Sequence, residues 1–550
     1  MTVPRLRWWL AAIWLGFLFR GWFYAAMFPL WEGFDEFAHF GVIRAMAVKG
    51  VWLPPRNQPE PRDVVESLQL APVPWQVRGW HEFRSSLTEE QYWALPAGER
   101  HQRESALRNL PASWSREDSA GPSAYEALQP PLYYWLMAPV LYVLKDSGLL
   151  AQVLWLRMLS AAIASLAVPL TFAIAFAVTG REPVALGCAA VLAVMPGFAI
   201  DVGRVSNESL SILLFTVLTW VGLRVLTRAP DMRGAVALGV CLGLGLLTKA
   251  YFLTAVPAVF LLLIYKYRRA WTAGVASGAV TLVIAGWWYA RNILTTGTLA
   301  GLAESVILRN KSLPAILSVI PHVPWLRALD TILVSHLYYG GWSSLGVRSW
   351  MYHVFFTIVL VAALGLVAQL RRVEVLWLAA VYGFFWLGQF YNVLLQYLAN
   401  GLAGSMGWYM YAVVACEVVL CAVAFRCRVW TMTLGTILFA LLDLYGMHWV
   451  AIPYYTGMIV HKFNGALTAL HLVEVRDFDA VFARLAANKP PPLSAPVLIV
   501  LWILYLAGTV LPIVLVVCDA MGGYLRRECS ESRNSSNPGN QNATIRMDTR

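Results

Sequence analysis

The sequence predicts an all-α polytopic membrane protein: a bundle of about 12 transmembrane helices (11–13), with juxtamembrane helices and long loops on one face. Three observations carry this. The 550 residues are 59% hydrophobic and 13% charged, with a mean hydropathy of +0.59; a soluble domain carries about twice that charge. Apolar runs of roughly 20 residues recur along the chain, and lipid offers no partner for unpaired backbone groups, so each run must be helical. The 25 Trp, 23 Tyr and 24 Phe suit membrane–water interfaces, where an apolar ring with a polar tip is at home.

The elements follow in order. Residues 1–30 form the first transmembrane helix, with its apolar run at 8–30 behind Arg5 and Arg7. It has no small-residue cleavage site and is longer than a signal peptide, so it reads as a retained span. A first loop, 31–150, is polar and rich in Pro and Trp, and includes juxtamembrane helices. Spans are expected at 151–178, 183–202, 207–226, 234–248, 250–265 and 271–289, making residues 151–289 the block of helices 2–7. A second long loop covers 290–350. Residues 351–450 hold helices 8–11, at 351–370, 374–396, 407–425 and 430–450. A third loop, 451–494, leads to the last span, 495–518, and a tail, 519–550, whose Ser, Asn, Gly and Arg predict disorder.

Charge parity fixes the orientation. Arg181, Arg224 with Arg228 and Arg233, Lys266 to Arg269, Arg371 with Arg372, Arg426 with Arg428, and Arg526 with Arg527 fall at alternate turns. The positive-inside rule places them in the cytoplasm with both termini, and puts the three long loops on the outer face. Counting 129–144 as a further span would reverse most of these clusters, so this segment is expected to be a juxtamembrane or re-entrant helix opened by Pro130 and Pro131. The net charge of +11 is explained by the same clusters and does not indicate nucleic-acid binding. The seven cysteines lie in or at the ends of apolar segments, which excludes a disulfide framework or zinc spacing.

Chemistry concentrates on the outer side. Directly after the first span comes Trp31-Glu32-Gly33-Phe34-Asp35-Glu36-Phe37-Ala38-His39-Phe40. In a helix, Asp35 and His39 share a face, and Phe34, Phe37, Phe40 and Ile43 can lie against lipid. Partial burial would raise the carboxylate pKa values and prepare a base; the alternative is a polar stop at the membrane boundary. Arg204-Val205-Ser206-Asn207-Glu208 supplies another acid at the start of the fourth span, and reads equally as a helix cap by Ser206 or Asn207 with Glu208 facing the dipole. Lys249 and Arg291 are cations on the outer face, against the positive-inside bias. They read either as snorkelling anchors or as a clamp for an anionic lipid phosphate. The glycines of His336-Leu337-Tyr338-Tyr339-Gly340-Gly341-Trp342 allow close backbone approach to a ligand or simply make a turn. The chain has no P-loop, no GxGxxG after a strand, no HExxH and no GxSxG, which argues against a nucleotide-driven motor and a serine hydrolase.

In order and placement these pieces resemble the GT-C superfamily of polyprenyl-phosphate-sugar-dependent membrane glycosyltransferases, which includes protein O-mannosyltransferases and lipid A aminoarabinose transferases. The shared elements are an acidic pair opening the first outer loop (Asp35, Glu36), Pro130-Pro131-Leu132-Tyr133-Tyr134 closing it, an acid in the next loop (Glu208), a Leu-Thr-Lys turn (Lys249) and a Trp-Tyr-x-Arg-Asn exit (Arg291, Asn292). The likeness covers roughly residues 8–450 and is greatest to a bacterial branch whose first loop reads Pro-Asp-Glu-Pro-x-His. Here Phe34 and Phe37 replace the prolines, Glu208 replaces an Asp, and Met406-Gly407-Trp408-Tyr409 stands where that branch has Gly-Arg-Tyr.

The resemblance implies an inverting enzyme of the cell envelope. It would lie in the cytoplasmic (inner) membrane with a periplasmic active site, and move a sugar from a polyprenyl-phosphate donor to a glycan, lipid or protein acceptor. Asp35 would be the general base, with Glu36 and Glu208 as further catalytic acids and Lys249 and Arg291 on the donor phosphate. His39, Tyr133, Tyr134, Asn207 and Trp342 would bind substrate. Glu36, His39 and Glu208 are the candidate ligands if a divalent cation (Mg2+ or Mn2+) takes part. Two rival readings are a transporter or flippase for a lipid-linked or anionic substrate, and a catalytically silent scaffold in an envelope assembly. Transporters show inverted repeats and midplane charges in broken helices; no clear repeat is visible here, and the charges cluster at one face.

Overall fold

A computed structural model of the chain describes residues 3–79, 86–111, 119–268, 271–309, 311–463, 465–470 and 477–535. Ten helices among them are long and apolar enough to cross a membrane, and two bent pairs raise the number to twelve. The segment expected at 183–202 is one of the pairs: Glu182–Val194 and Pro196–Val202 meet at 60°. Pro196 has no N–H to continue the ladder and pushes Met195 out of the α region, to ψ 118°. The other pair, Leu313–His322 and Trp325–Leu337, bends by 76° within the expected loop 290–350, where Pro321 and Pro324 interrupt an apolar stretch. Leu132–Val143 is a helix of 12 residues, too short to cross a bilayer, as expected for 129–144. The span expected at 234–248 is also short, Met232–Leu246. The final helix runs from Ala495 to Ser535, so the tail is helical well past Cys518, where disorder was expected; residues 536–550 lie outside the described ones.

The first helix, Val3–Met27, is the hub. It runs against Ala495–Ser535 with backbones nearly touching: a Cβ built on Gly16 would stand 3.1 Å from the Gly508 Cα. Small residues permit such contacts where lipid supplies no hydrophobic drive between helices. Further along, the buried Arg20 Nη2 pairs with Asp443 Oδ2 at 2.9 Å. The Tyr24 and Tyr505 hydroxyls donate to the same carboxylate, each at 2.7 Å. Arg20 also donates to the carbonyls of Ala193 and Val194, last-turn acceptors of the helix that breaks at Met195. One cluster therefore ties the first helix, the broken pair, Val429–Tyr445 and the last helix together.

At one end of the bundle the first long loop folds back as a cap. Helix Glu36–Lys49 packs on Leu132–Val143, and a short antiparallel pairing joins Pro59–Pro61 to Ser119–Ser123. Phe34, Phe37, Phe40 and Ile43 are all at most 4% exposed. They do not face lipid, because the cap supplies the apolar surface that the sequence reading assigned to the bilayer.

Candidate functional site

The acidic loop is built around a turn. Asp35 sits in the left-handed region (φ 58°) and precedes the helix that starts at Glu36; the His39 N–H closes the turn onto the Asp35 carbonyl at 3.0 Å. Asp and Asn tolerate this conformation better than most residues, yet at some strain. It separates the adjacent acids. Glu36 turns inward and is fully buried, where the Arg157 guanidinium grips it from two sides, Nε to Oε1 at 2.7 Å. The Val205 N–H donates to the same oxygen at 2.9 Å. Arg157 also donates to the carbonyls of Ala25, Phe28 and Pro29 at the end of the first helix. Glu36 therefore positions the loop. Asp35 points the other way, half-buried, and accepts from the Tyr125 hydroxyl at 2.6 Å.

Two of the carboxylates around Asp35 are held by a cation: Asp201 by Arg204, and Glu208 by Lys249. Glu208 also accepts from Ser206 Oγ at 2.6 Å. Ser206 Oγ lies 3.3 Å from His39 Nε2, and the Tyr134 hydroxyl lies 2.9 Å from His39 Nδ1. A polar chain thus runs from Lys249 to the Pro130–Tyr134 element. The Lys249 ammonium stands over the rings of Tyr251 and Tyr409, at 5.3 and 5.2 Å. Burial raises the Asp35 pKa, against the lowering effects of the Tyr125 hydrogen bond, Arg204 and Lys249. Glu126, whose Oε2 is 3.6 Å from His39 Nδ1, is pushed up to about 8 by burial and then by Asp35. Burial, followed by the charge of Lys249, takes His39 well below its ordinary value. At neutral pH His39 and Glu126 are mainly uncharged.

Two substitutions relative to the resembled loop pattern prove to touch. Phe34 stacks on Trp408 with ring centroids 3.6 Å apart, and Arg204 covers Phe34 at 5.2 Å. Trp342 closes the cluster, its ring 5.3 Å from that of Phe34, while its backbone N–H donates to the Glu32 carbonyl at 3.0 Å. The close approach foreseen for the Gly-Gly turn is therefore to Glu32, which also accepts from Ser343 N–H and Oγ at 2.7 and 2.8 Å.

Asp35, His39, Tyr134, Glu208, Lys249 and Trp342 thus come to one region, joined by Asn207, whose Nδ2 reaches the Thr248 carbonyl at 3.4 Å. Tyr133 instead points to Ser160, at 2.8 Å. Arg291 lies in a neighbouring pocket of about 230 Å³, with Tyr134, Gln129 and Trp288 in its wall. Its guanidinium is 5.0 Å from the Trp288 ring, and Arg291 Nη1, Gln129 Oε1 and Trp288 Nε1 are buried without a hydrogen-bond partner among the described residues. Tyr134 borders both sites. Among the described residues no group of three or more His, Cys, Asp or Glu is set to hold a metal ion. Glu36, His39 and Glu208 do not fit as a ligand set, since Arg157 and Lys249 occupy the two carboxylates.

Sequence reading passed over Arg157, Tyr125, Glu126 and Asp201. A charge inside an apolar run, such as Arg157, was the available signal. Tyr125 and Glu126 lie in a polar loop that offers none.

Residues 130–297 match the family described as "Dolichyl-phosphate-mannose-protein mannosyltransferase". No curated protein matches the chain. Two crystal structures of ArnT from Cupriavidus metallidurans are similar in fold at 14% identity. The one bound to undecaprenyl phosphate gives a TM-score of 0.47 over 93% of this chain and 77% of that one. The apo form gives 0.45, over 90% and 74%. The matched segment contains Tyr134, Glu208, Lys249 and Arg291.

Proposed function

We propose that the chain is a membrane glycosyltransferase that moves a sugar, with inversion, from a polyprenyl-phosphate donor to an acceptor hydroxyl on the outer (periplasmic) face. The observation that carries this reading is the contrast among the carboxylates. Glu36, Asp201 and Glu208 each face a cation, whereas Asp35 is half-buried in a strained turn with a phenol as its partner. A carboxylate so placed is free to take a proton.

In this reading the Asp35 carboxylate accepts the proton of the acceptor hydroxyl as the oxygen attacks the anomeric carbon. The bond from that carbon to the phosphate oxygen breaks, and polyprenyl phosphate leaves carrying its charge. The leaving group needs charge stabilisation more than a proton. Lys249 serves this role, as does Arg291, whose unpartnered Nη1 lies beside the apolar side chains of Val42, Met46 and Leu53. The Glu208–Ser206–His39–Tyr134 chain fixes Lys249 and the wall between the two cations. No step is routed through a divalent cation.

Lipid that co-purifies with the wild type should include polyprenyl phosphate or its sugar conjugate, and mass spectrometry should find it lost from Lys249→Ala/Arg291→Ala. Equal bulk phospholipid in both, with no polyprenyl species, would overturn the donor site and favour a transporter or scaffold. The pH profile offers a separate check. The base must be ionised, so activity rises with pH through the Asp35 pKa, and the Tyr125 hydrogen bond holds that pKa down. Tyr125→Phe should therefore move the acid limb of kcat/KM to higher pH, with the lost rate recovered in alkali. An unmoved limb would show that another group limits the rate.

A further inference from the structure

Near the end of the span Trp271–Thr296, three N–H donors lack an acceptor among the described residues. Trp288 Nε1 is one; the side chain is 1% exposed and lines the pocket of Arg291. Arg291 Nη1 is the second. The third is Nη1 of Arg56, from the loop whose Leu53 and Pro54 wall the same pocket. The rest of the Arg56 guanidinium is anchored, since Nη2 donates to the Gly301 carbonyl. Gly301 holds a φ of 70°, and a Cβ built on it would stand 2.7 Å from Asn292 Cγ, so it packs directly on the neighbour of Arg291. Asn292 Nδ2 holds that loop down through the Leu299 and Ala300 carbonyls, at 3.3 and 3.1 Å.

Two half-buried arginines are thereby brought together with the same sign of charge, and neither forms an ion pair with a described carboxylate. The charge of Arg291 adds to burial in pulling the Arg56 pKa down. Like charges without a counter-ion repel, and each buried donor without an acceptor carries its desolvation cost. One kind of ligand answers all of these at once: an anion with several oxygens. A tryptophan stack stands beside the pocket. Trp135 lies between Trp52 and Trp287, with ring centroids at 4.0 and 6.1 Å, and its Nε1 donates to the Trp52 carbonyl at 2.8 Å. Trp52 is 66% exposed and Leu294 86%. Exposed tryptophans at the end of a span mark the headgroup level of the bilayer, so the anion belongs to a lipid.

We propose that Arg56 is a second arginine on the donor phosphate, and that it answers the charge the phosphate gains as the sugar leaves; this deepens the glycosyltransferase reading and rests on it. The donor is a phosphodiester with a single negative charge, which Arg291 alone can match. When the bond from the anomeric carbon breaks, its electron pair stays on the phosphate oxygen. The diester becomes a monoester carrying about −1.5 to −2 at neutral pH, and Arg56 Nη1 meets the added charge. An interaction that strengthens as the bond breaks raises kcat more than it lowers KM. Arginine suits the place better than lysine, because its planar fork holds the Gly301 carbonyl with one nitrogen and offers the other to the phosphate.

The test uses the full chain in phosphatidylcholine nanodiscs and two probes, farnesyl phosphate (a monoester) and its methyl ester (a diester with one charge), with binding read by calorimetry. The wild type should bind the monoester about tenfold more tightly than the diester, as a hydrogen bond to a charged group allows. Arg56→Gln should erase that preference by weakening the monoester alone. Arg56→Lys keeps the charge without the fork and should retain part of it. Arg291→Gln should weaken both probes. Inorganic phosphate should not displace farnesyl phosphate; displacement at equal concentration would assign the arginines to free phosphate and overturn the lipid source. Equal weakening of both probes by Arg56→Gln would overturn the proposal, since a residue that only shapes the loop cannot tell a monoester from a diester. If both probes bind through Arg291 while Arg56→Gln changes neither, Arg56 alone falls and the donor reading stands. If neither probe binds the wild type, the donor reading falls and takes Arg56 with it.

Discussion

Asp35→Asn is expected to lower transfer about 10²–10⁴-fold, the range that a positioned general base contributes, while leaving the fold intact. The substitution preserves shape, and Asn tolerates the left-handed backbone at least as well as Asp. The amide can still accept from Tyr125, so the cap need not move. What disappears is the ability to take a proton. Glu36→Gln should behave differently. It leaves the buried Arg157 charge without its counter-ion and should appear as lost stability together with lost activity. Lipid release from purified protein, read by mass spectrometry, and thermal unfolding separate the two. Full turnover by Asp35→Asn would remove Asp35 from the chemistry.

The largest effect on stability is expected at the Arg20–Asp443 pair. Asp443→Leu leaves a buried guanidinium without its carboxylate and two tyrosine hydroxyls without their acceptor. Breaking one side of a buried pair costs about 3–5 kcal/mol, and each stranded hydroxyl adds about 1–3 kcal/mol where it finds no substitute. Because both charges are also desolvated in the native protein, removing them together should be milder. Arg20→Leu/Asp443→Leu is expected to recover part of the loss, although the Ala193 and Val194 carbonyls then lack a donor. Unfolding in mixed detergent micelles across the double-mutant cycle checks this. Strictly additive losses would show that the pair is not a unit.

Much of this was legible from the chain. Hydropathy located most of the spans because a bilayer imposes length and apolarity on each one independently of its neighbours; the bent pair Leu313–His322 and Trp325–Leu337 escaped it because prolines break the apolar run. Asp35, His39, Glu208, Lys249 and Arg291 stood out because each lies at the end of an apolar run. The structural part of Glu36 was not legible, since it arises from the left-handed Asp35 before it and from Arg157, 121 positions away from Glu36. The same limit hid the partner of Phe34. Phe34 and Trp408 look like unrelated losses in sequence, and only packing shows one aromatic ring stacked on the other. The direction of the Phe34–Ile43 face failed for a related reason: an apolar stripe at a membrane boundary reads alike whether lipid or a protein cap covers it.

The Arg20 cluster also sets an order on biogenesis. A ribosome delivers the first helix to the membrane long before its counter-charge: Tyr24 and Asp443 are 419 residues apart. At about 5–20 residues per second, that interval lasts about 20 to 80 s. Throughout it the arginine must be sheltered by water, lipid headgroups or the insertion machinery, since a bare charge at the centre of an inserted helix costs about 2.5–3.5 kcal/mol. The first helix made is thus among the last to be completed, and a chain released before Asp443 emerges would carry an unmatched arginine for quality control to read.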